Sequence, residues 1–247
     1  MSSGAEHVAC AVEGGRATIR LTRPEKRNAI TTAMYAVLAD RLTEIGADGA
    51  VRVVVLTGSG GSFTAGNDRA ELSSLPAEAL GPQSPPRRFL DALAALPQVL
   101  VVGVDGPAIG IGTTVLLHAD LVYATRASRF ALPFVGLGLV PEAAATLLLP
   151  RVIGRARASA LALLGAPIDA DQAAAWGLLS AVVDGGQDEL DAALDVACDA
   201  LLAAPAEALA HTRRLLREDL RAATRDRLEE DGMIMQQLTA RQGERVG

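Results

Sequence analysis

Two glycine-rich turns are the parts of this sequence best suited to chemistry. The first, GSGGSFTAGND, spans 58–68, and the second, GPAIGIG, spans 106–112. Each follows an apolar run and precedes a segment of helical character, so each can aim free backbone N–H groups at an anion. One such turn also arises for steric reasons alone. Two at matching places favour an oxyanion site, because that usually takes two donors.

Other common sites are not supported by the sequence. It has no G-x-S-x-G nucleophile elbow and no G-x-x-x-x-G-K-[ST] phosphate loop, and neither G-x-G cluster has the third glycine of a dinucleotide site. The three histidines, His7, His118 and His211, lack metal-ligand spacing. We therefore expect no metal, and we expect His118, in an apolar segment, to be a packing residue.

The elements that must position the two turns alternate between strands and helices. Periodicity predicts strands over 8–12, 16–22, 51–57, 99–104, 121–125, 129–132 and 180–184. It predicts helices over 32–47, 66–75, 87–96, from the second turn to about His118, and over 142–163, 170–176, 188–203, 205–218 and 221–240. The proline-rich stretch 76–86 is expected to be a surface loop. This order predicts an α/β fold, a mostly parallel sheet covered by helices, followed by an all-helical tail.

Composition narrows the range of partners. The 247 residues are 50% hydrophobic and only 3% aromatic, with a net charge of −6. No broad basic face or aromatic platform is predicted for nucleic acid or anionic lipid. No apolar run is long enough to span a membrane, and no secretory signal is predicted. The separated Cys10 and Cys198 fit a reducing compartment, so a cytoplasmic location is expected.

Five segments in order resemble the crotonase superfamily, the enoyl-CoA hydratases and isomerases. They are RPEKRNAI (23–30), FTAGND (63–68), GPAIGIGTTVLLHADLVYAT (106–125), LGLVPEAAATLLLPRVIG (137–154) and AWGLLSAVVD (175–184). The resemblance implies a spiral of ββα units over 1–186 that holds the coenzyme A and acyl site. It also implies a C-terminal helical region, 187–247, that builds a homotrimer or a dimer of trimers. The alternative is a tail that packs only on its own core.

By position, the resemblance implies that the backbone N–H groups of Asn67 and Ile111 form the oxyanion hole. Asn67 also suits a simple turn. Typical hydratases of the family hold a water between two glutamates, whose positions are occupied here by Thr114 and Phe134. Neither residue can act as a general base, so the usual hydratase route is not expected.

One carboxylate remains at a position that resembles a catalytic one. Glu142, in LVPEAAA, matches the acidic residue that serves as base in peroxisomal-type Δ3,Δ2-enoyl-CoA isomerases and related ring-CoA isomerases. The apolar residues around it predict a raised pKa, which suits proton shuttling. The alternative is an acidic residue that only complements a helix dipole.

Coenzyme A, as part of the substrate, needs cations for its phosphates. Arg23, Lys26 and Arg27 lie next to the segment that resembles the CoA-binding loop, although they could equally be an ordinary solvated loop. The resemblance also implies that the backbone of Ala29, Ala65 and Asp68 flanks adenine and pantetheine. No separate cofactor is expected.

Three further carboxylates are candidates for a structural or a pocket-lining role. Asp68 and Asp120 are expected to tie turns, whereas Glu71 is a minor candidate for the pocket lining. The sequence thus favours an acyl-CoA enzyme that shifts a double bond. The alternatives are another reaction of the same superfamily, including an unusual hydration, and an acyl-CoA-binding protein without activity.

Overall fold

The computed structural model describes residues 4–72 and 81–244. Strands are β1 (Val8–Glu13), β2 (Arg16–Leu21), β3 (Val53–Thr57), β4 (Val99–Val104), β5 (Pro107–Ile109), β6 (Leu121–Thr125), β7 (Arg129–Ala131), β8 (Ile168–Asp169) and β9 (Ala181–Val183). Helices are α1 (Thr32–Ala47), α2 (Arg69–Leu72), α3 (Pro85–Ala95), α4 (Ile111–Thr114), α5 (Ala145–Ile153), α6 (Arg155–Leu164), α7 (Ala170–Trp176), α8 (Gln187–Ala203) and α9 (Ala206–Glu244). Short 3-10 turns cover Gly4–His7, Pro24–Lys26, Val115–His118 and Val135–Leu137.

The strands form two sheets. The larger has the order β1-β2-β3-β4-β6-β9 and is parallel apart from the β1–β2 hairpin. The smaller has the order β5-β7-β8. The predicted α/β fold, with a mostly parallel sheet covered by helices, is confirmed. The structure also has a second, smaller sheet. The chain turns at Gly106, whose φ is +73°, so that β5 leaves the direction of β4 and pairs in this second sheet.

The central strands are apolar throughout because both faces of the sheet are covered. Val54, Leu56 and their neighbours on β4 face the main core, which includes α1 and α3. Val53 and Val55 face a second cluster that contains Leu194 and Cys198 of α8. Such two-sided burial requires the continuous β-branched runs found in the sequence.

Most strand and helix predictions are confirmed within a few residues, but three boundaries are wrong. The segment 106–112 contains β5 before its helix, since Gly110 at φ +58° turns the chain between them. The expected helix over 142–163 is two helices, separated at Gly154 with φ +81°. The expected helices over 205–218 and 221–240 are the single helix α9.

The expected loop over 76–86 is only partly testable. Residues 76–80 lie outside the described residues, as do 73–75 of the helix expected over 66–75. At the far end of the loop the structure differs from the expectation, since Pro85 and Pro86 begin α3. Proline suits the first helical turn, and the Ser84 hydroxyl accepts the Arg87 N–H as the helix cap.

The C-terminal tail packs on its own core along part of its length. Leu228 of α9 is 2% exposed, and α9 contacts both α3 and α5. Other apolar side chains of the same helix, Leu215, Leu216 and Met233, are 62%, 80% and 52% exposed. One face of α9 is therefore used within the chain, while another is open.

Candidate functional site

The first glycine-rich turn presents the backbone N–H of Asn67. Its neighbours are held on the strand-like segment before α1: the Ile30 N–H donates to Gly66 O at 2.8 Å, and the Asp68 N–H donates to Ile30 O at 2.9 Å. In this parallel pairing the Asn67 N–H points the other way, and it donates no hydrogen bond within the described part of the chain. It is thus available as a donor.

The second turn presents the backbone N–H of Ile111. Ile111 is the first residue of α4, whose Gly110 O accepts the N–H groups of Thr113 and Thr114 at 2.9 and 3.0 Å. The first N–H of a helix has no carbonyl within the helix, and that of Ile111 has no acceptor elsewhere in the ranges the structure covers.

The two turns run side by side. Thr64 and Ala108 form a parallel bridge, with Thr64 N–H to Pro107 O at 2.9 Å and Ile109 N–H to Thr64 O at 3.0 Å. Asn67 and Ile111 each lie three residues beyond this bridge. The pairing thus brings the two unpaired donors to the same end of adjoining segments, as an oxyanion hole requires.

Glu142 lies against the second of these turns. Its Oε1 is 2.6 Å from the hydroxyl of Thr114, which donates to the ionised carboxylate. The residue keeps some exposed surface, but its carboxyl group is enclosed by protein. This burial raises the pKa of Glu142 from its usual 4.5 to about 7, and repulsion from Asp231 adds to the rise, whereas the Thr114 hydrogen bond opposes it. The predicted raised pKa is confirmed.

The turn that follows Glu142 has unusual backbone geometry. Ala143 and Ala144 both adopt left-handed conformations, with φ of +59° and +55°, which a side chain with a Cβ disfavours. His118 Nε2 lies 2.8 Å from Ala143 O, and the Ala144 N–H donates to Asp231 Oδ2 at 2.9 Å. These contacts fix the backbone next to the carboxylate.

His118 behaves largely as expected. It is buried, and this burial lowers its pKa from 6.5 to about 4, so the ring is neutral near pH 7. Because a carbonyl can only accept, the proton lies on Nε2. Nδ1 is buried with no hydrogen-bond partner among the described residues, so the ring is a packing residue with one polar atom left over.

Tyr35 joins the two sides of the site. Its buried hydroxyl donates to the side-chain Oδ1 of Asn67. Burial raises the pKa of Tyr35 well above 10, and the nearby Glu142 carboxylate raises it further. The phenol therefore stays protonated and holds the Asn67 turn beside Glu142.

The basic loop places its three cations differently. Arg23 donates to Asp68 Oδ2 at 2.7 Å and to Ala29 O at 3.0 Å, so its charge is already paired. Lys26 and Arg27 are exposed, and their side chains have no partner within the described ranges. Of the three predicted phosphate ligands, these two are therefore available and Arg23 is a brace of the loop.

The backbone groups predicted for coenzyme A lie on two segments: Ala29 is in the basic loop, and Ala65 and Asp68 are in the first glycine-rich turn. The Ala65 N–H donates to Arg27 O at 2.9 Å, while the Ala65 C=O accepts no hydrogen bond from the part of the chain that is described. The buried Asn28 side chain ties this loop to the first glycine-rich turn through Ser59 O and Ser62 O, at 3.0 and 2.6 Å. The loop is thus fixed to the turn that bears Asn67.

The other carboxylates act as ties. Asp68 accepts the Ala70 N–H at 3.2 Å, and its hydrogen bond with Arg23 lowers its pKa below 3.8. Asp120 accepts the Leu100 N–H at 2.8 Å and Arg213 Nε at 2.6 Å. Glu71 accepts the Thr32 N–H at 3.1 Å, which assigns it a role in starting α1.

Three side chains of the site were not proposed from the sequence as functional. In the sequence, Thr114 indicates only that a hydratase glutamate is absent at that position. Tyr35 has the pattern of an ordinary buried residue on α1. Asp231 reads as one of many charges on α9. Only the three-dimensional packing of α9 shows that Asp231 faces the Glu142 turn.

Two features are absent from the described residues. Those residues contain no group of three or more His, Cys, Asp or Glu side chains that could hold a metal ion. Among them there is also no helix with the length and hydropathy needed to cross a membrane.

Comparisons with known proteins show the family of the chain and agree with its fold. The family model described as enoyl-CoA hydratase/isomerase matches residues 12–247. A 1,2-epoxyphenylacetyl-CoA isomerase of Escherichia coli (strain K12) is 42% identical over 173 residues, covering 67% of this chain and 65% of the relative. Enoyl-CoA delta isomerase 2 of Homo sapiens is 31% identical over 174 residues, covering 68% and 44%. The chain thus matches less than two thirds of the length of these curated relatives.

A solved structure gives the same result for the fold. The crystal structure of an enoyl-CoA hydratase/isomerase from Pseudoalteromonas atlantica T6c superposes with a TM-score of 0.88 at 34% sequence identity. The superposition covers 95% of this chain and 92% of that one.

Proposed function

Because the chain belongs to the enoyl-CoA hydratase/isomerase family, we propose that it is an isomerase that shifts a double bond in an acyl-CoA thioester, with Glu142 as the single acid and base. The observation that carries this proposal is the enclosed Glu142 carboxylate, which accepts the Thr114 hydroxyl at 2.6 Å. Thr114 stands where a hydratase of the resembled type would carry one of its two glutamates. A hydroxyl there supports the remaining carboxylate and does not activate water.

The reaction begins with removal of a proton from C2 of a 3-enoyl thioester. Glu142 takes this proton, and the electron pair moves onto the thioester oxygen to give an enolate. The N–H groups of Asn67 and Ile111 donate to that oxygen, which lowers the barrier; one such donor is worth roughly 3–4 kcal/mol. The protonated Glu142 then returns its proton to C4, and the product is the conjugated 2-enoyl thioester.

The pKa of Glu142 suits both halves of this transfer. At about 7 the carboxyl group is near half ionised at neutral pH, so it can take and return a proton with little loss in either step. An ordinary exposed glutamate would take the proton poorly, because its carboxylate is too weak a base.

A second candidate differs in the substrate. The 42% identity to a protein named 1,2-epoxyphenylacetyl-CoA isomerase favours a ring-bearing acyl group over a linear one. A carboxylate beside an oxyanion hole can act on either kind of acyl group wherever a proton lies next to the thioester carbonyl. The substrate panel must therefore contain both kinds of thioester.

The decisive experiment measures isomerisation by wild type, Glu142→Gln and a matched control, Glu229→Gln. Glu229 is an exposed residue of α9. We expect ultraviolet absorbance of the 2-enoyl thioester to rise with wild type and control. For Glu142→Gln we expect kcat to fall by about 10²–10⁴, the usual worth of a general acid–base group, with thioester binding retained. A hydrated product, or binding without turnover by wild type, would favour the two alternative functions.

We also propose a homotrimer or a dimer of trimers. Two pairs of neighbouring exposed leucines, Leu163–Leu164 at the end of α6 and Leu215–Leu216 on α9, support self-association, because contiguous exposed apolar surface marks protein–protein contacts. Sedimentation equilibrium tests this, and a monomer at micromolar concentration would contradict it.

A further inference from the structure

The turn after Glu142 does not hold its shape by sequence preference. Ala143 and Ala144 are successive left-handed residues with side chains, at φ +59° and +55°. Such a pair persists only when its surroundings enforce it. Both alanines are fully buried, so water does not satisfy their backbone groups. What holds this pair therefore also sets the direction in which the Glu142 side chain leaves the backbone.

Besides the N–H groups of Leu147 and Leu148, which donate to Ala144 O at 3.0 Å, two side chains of the described residues hydrogen-bond to the pair, and one of them is a carboxylate from the C-terminal region. Asp231 is 5% exposed, and its Oδ2 accepts the Ala144 N–H at 2.9 Å. His118, from the segment after α4, is the other and contacts Ala143 O. Burying an acidic side chain costs free energy unless the side chain is hydrogen-bonded or paired with a cation. Among the described residues, Asp231 is hydrogen-bonded to the N–H of Ala144, two residues after Glu142.

The helix that bears Asp231 is anchored around it. Arg87 of α3 donates to Leu228 O at 3.2 Å, and Arg227 donates to the Thr146 hydroxyl at 2.9 Å. Leu228 itself is part of the main core. The position of Asp231 is thus fixed by packing on both sides of the turn, and α9 is coupled to the site.

We propose that Asp231 is a positioning residue for Glu142, holding the left-handed Ala143–Ala144 turn through the Ala144 N–H and placing a second negative charge beside the catalytic carboxylate. The inference rests on the proposed function, in which Glu142 is the acid and base. It adds that the C-terminal helix completes the site within one chain.

The charges around the pair determine the sign of the effect. Asp231 faces Arg227 and Glu230 on its own helix and Arg87 on α3, and burial raises its pKa from 3.8 to about 6. Glu142 faces Asp231, the Thr114 hydroxyl and the phenol of Tyr35. Above pH 6 an ionised Asp231 repels the Glu142 carboxylate and raises its pKa. Removing that charge lowers the pKa of Glu142.

Two variants separate the two effects of Asp231. Asp231→Asn keeps an oxygen that can accept the Ala144 N–H but removes the charge, whereas Asp231→Ala removes both. Glu229→Gln removes a charge from the exposed side of the same helix and serves as the matched control. Each variant is measured by kcat and KM against pH, and by ¹³C NMR titration of the Glu142 carboxyl, identified by its loss in Glu142→Gln.

We expect Asp231→Asn to move the Glu142 titration, and the acid limb of kcat, downward by about half a pH unit or more. We expect Asp231→Ala to lower kcat by about tenfold or more while KM changes less than threefold, because the turn loses its acceptor. Asparagine should recover most of that loss, and Glu229→Gln should match wild type.

Two results would overturn the proposal. One is an Asp231→Asn titration identical to wild type; the other is an Asp231→Ala variant that melts at a lower temperature but keeps the wild-type kcat. The NMR titration does not depend on turnover. If wild type is inactive on every thioester while Asp231→Asn still shifts the Glu142 titration, the proposed function fails and the coupling of the two residues stands.

Discussion

Replacing Thr114 with valine should lower the fraction of Glu142 that is ionised, and therefore able to accept a proton, at neutral pH. The substitution conserves shape at a fully buried site and removes the hydroxyl that donates to Oε1. A hydrogen bond to a charged group is worth roughly 1.5–3 kcal/mol, and 1.36 kcal/mol corresponds to one pKa unit. From its value of about 7, the pKa of Glu142 should therefore rise by about one to two units.

The assay is kcat/KM for isomerisation measured between pH 5.5 and about 9.5. With its pKa near 7, the Glu142 carboxyl group is ionised in about half of the wild-type molecules at pH 7. After the shift only about 1–10% should be, so the variant should be roughly 5–50-fold slower there and recover at high pH. Thr114→Ser keeps the hydroxyl and should retain a profile close to wild type. An acid limb for Thr114→Val that does not move, or that moves to lower pH, would refute the reasoning.

Three further predictions concern the parts around the site. Asp68→Asn should destabilise the protein by up to about 1 kcal/mol, since its ion pair with Arg23 is partly exposed and screened by solvent. Because folding lowers the pKa of Asp68, its contribution to stability is present above its ordinary pKa of 3.8 and is lost as the pH falls below that value. Urea melts of wild type and variant at pH 3 and pH 7 measure this contribution. An equal loss of stability at both pH values would contradict the prediction. Ala144→Gly should leave stability unchanged or raise it by up to about 1 kcal/mol, because Ala144 is in a left-handed conformation. The control, Ala158→Gly inside α6, should lower stability by about 1 kcal/mol. Thermal melts compare the two variants, and an equal loss of stability in both would contradict the prediction. Lys26→Ala with Arg27→Ala should raise KM several-fold at low salt and leave kcat unchanged; a lower kcat with unchanged KM would place these cations elsewhere in the reaction.

Much of the fold follows from local patterns. The buried runs of β3 and β4 and the alternation of β2 specify strands, and Asp169, a typical capping residue, caps α7 by accepting the Gln172 N–H at 2.8 Å. Local patterns fail where three-dimensional packing decides. The tight turn at Gly110 conceals β5, and nothing in the sequence near 219–220 breaks α9.

The site divides in the same way. The family resemblance is what assigns Asn67, Ile111 and Glu142, whereas the glycine-rich turns by themselves predict only that backbone N–H groups are free. The partners could not be assigned from the sequence, because Thr114, Tyr35 and Asp231 reach the site from separate elements. The sequence suggests Arg23 as a phosphate ligand, and only the fold shows that its charge is paired with Asp68.

A 3-enoyl-CoA carrying two deuterium atoms at C2 tests most directly whether one carboxyl group carries the proton. The product of a single turnover in ordinary water is analysed by mass spectrometry and NMR for deuterium at C4. If Glu142 takes the deuteron and returns it within an enclosed site, wild type gives a 2-enoyl thioester with deuterium at C4, and Glu142→Gln gives no product. A product without deuterium at C4, formed equally by Glu142→Gln, would contradict the account.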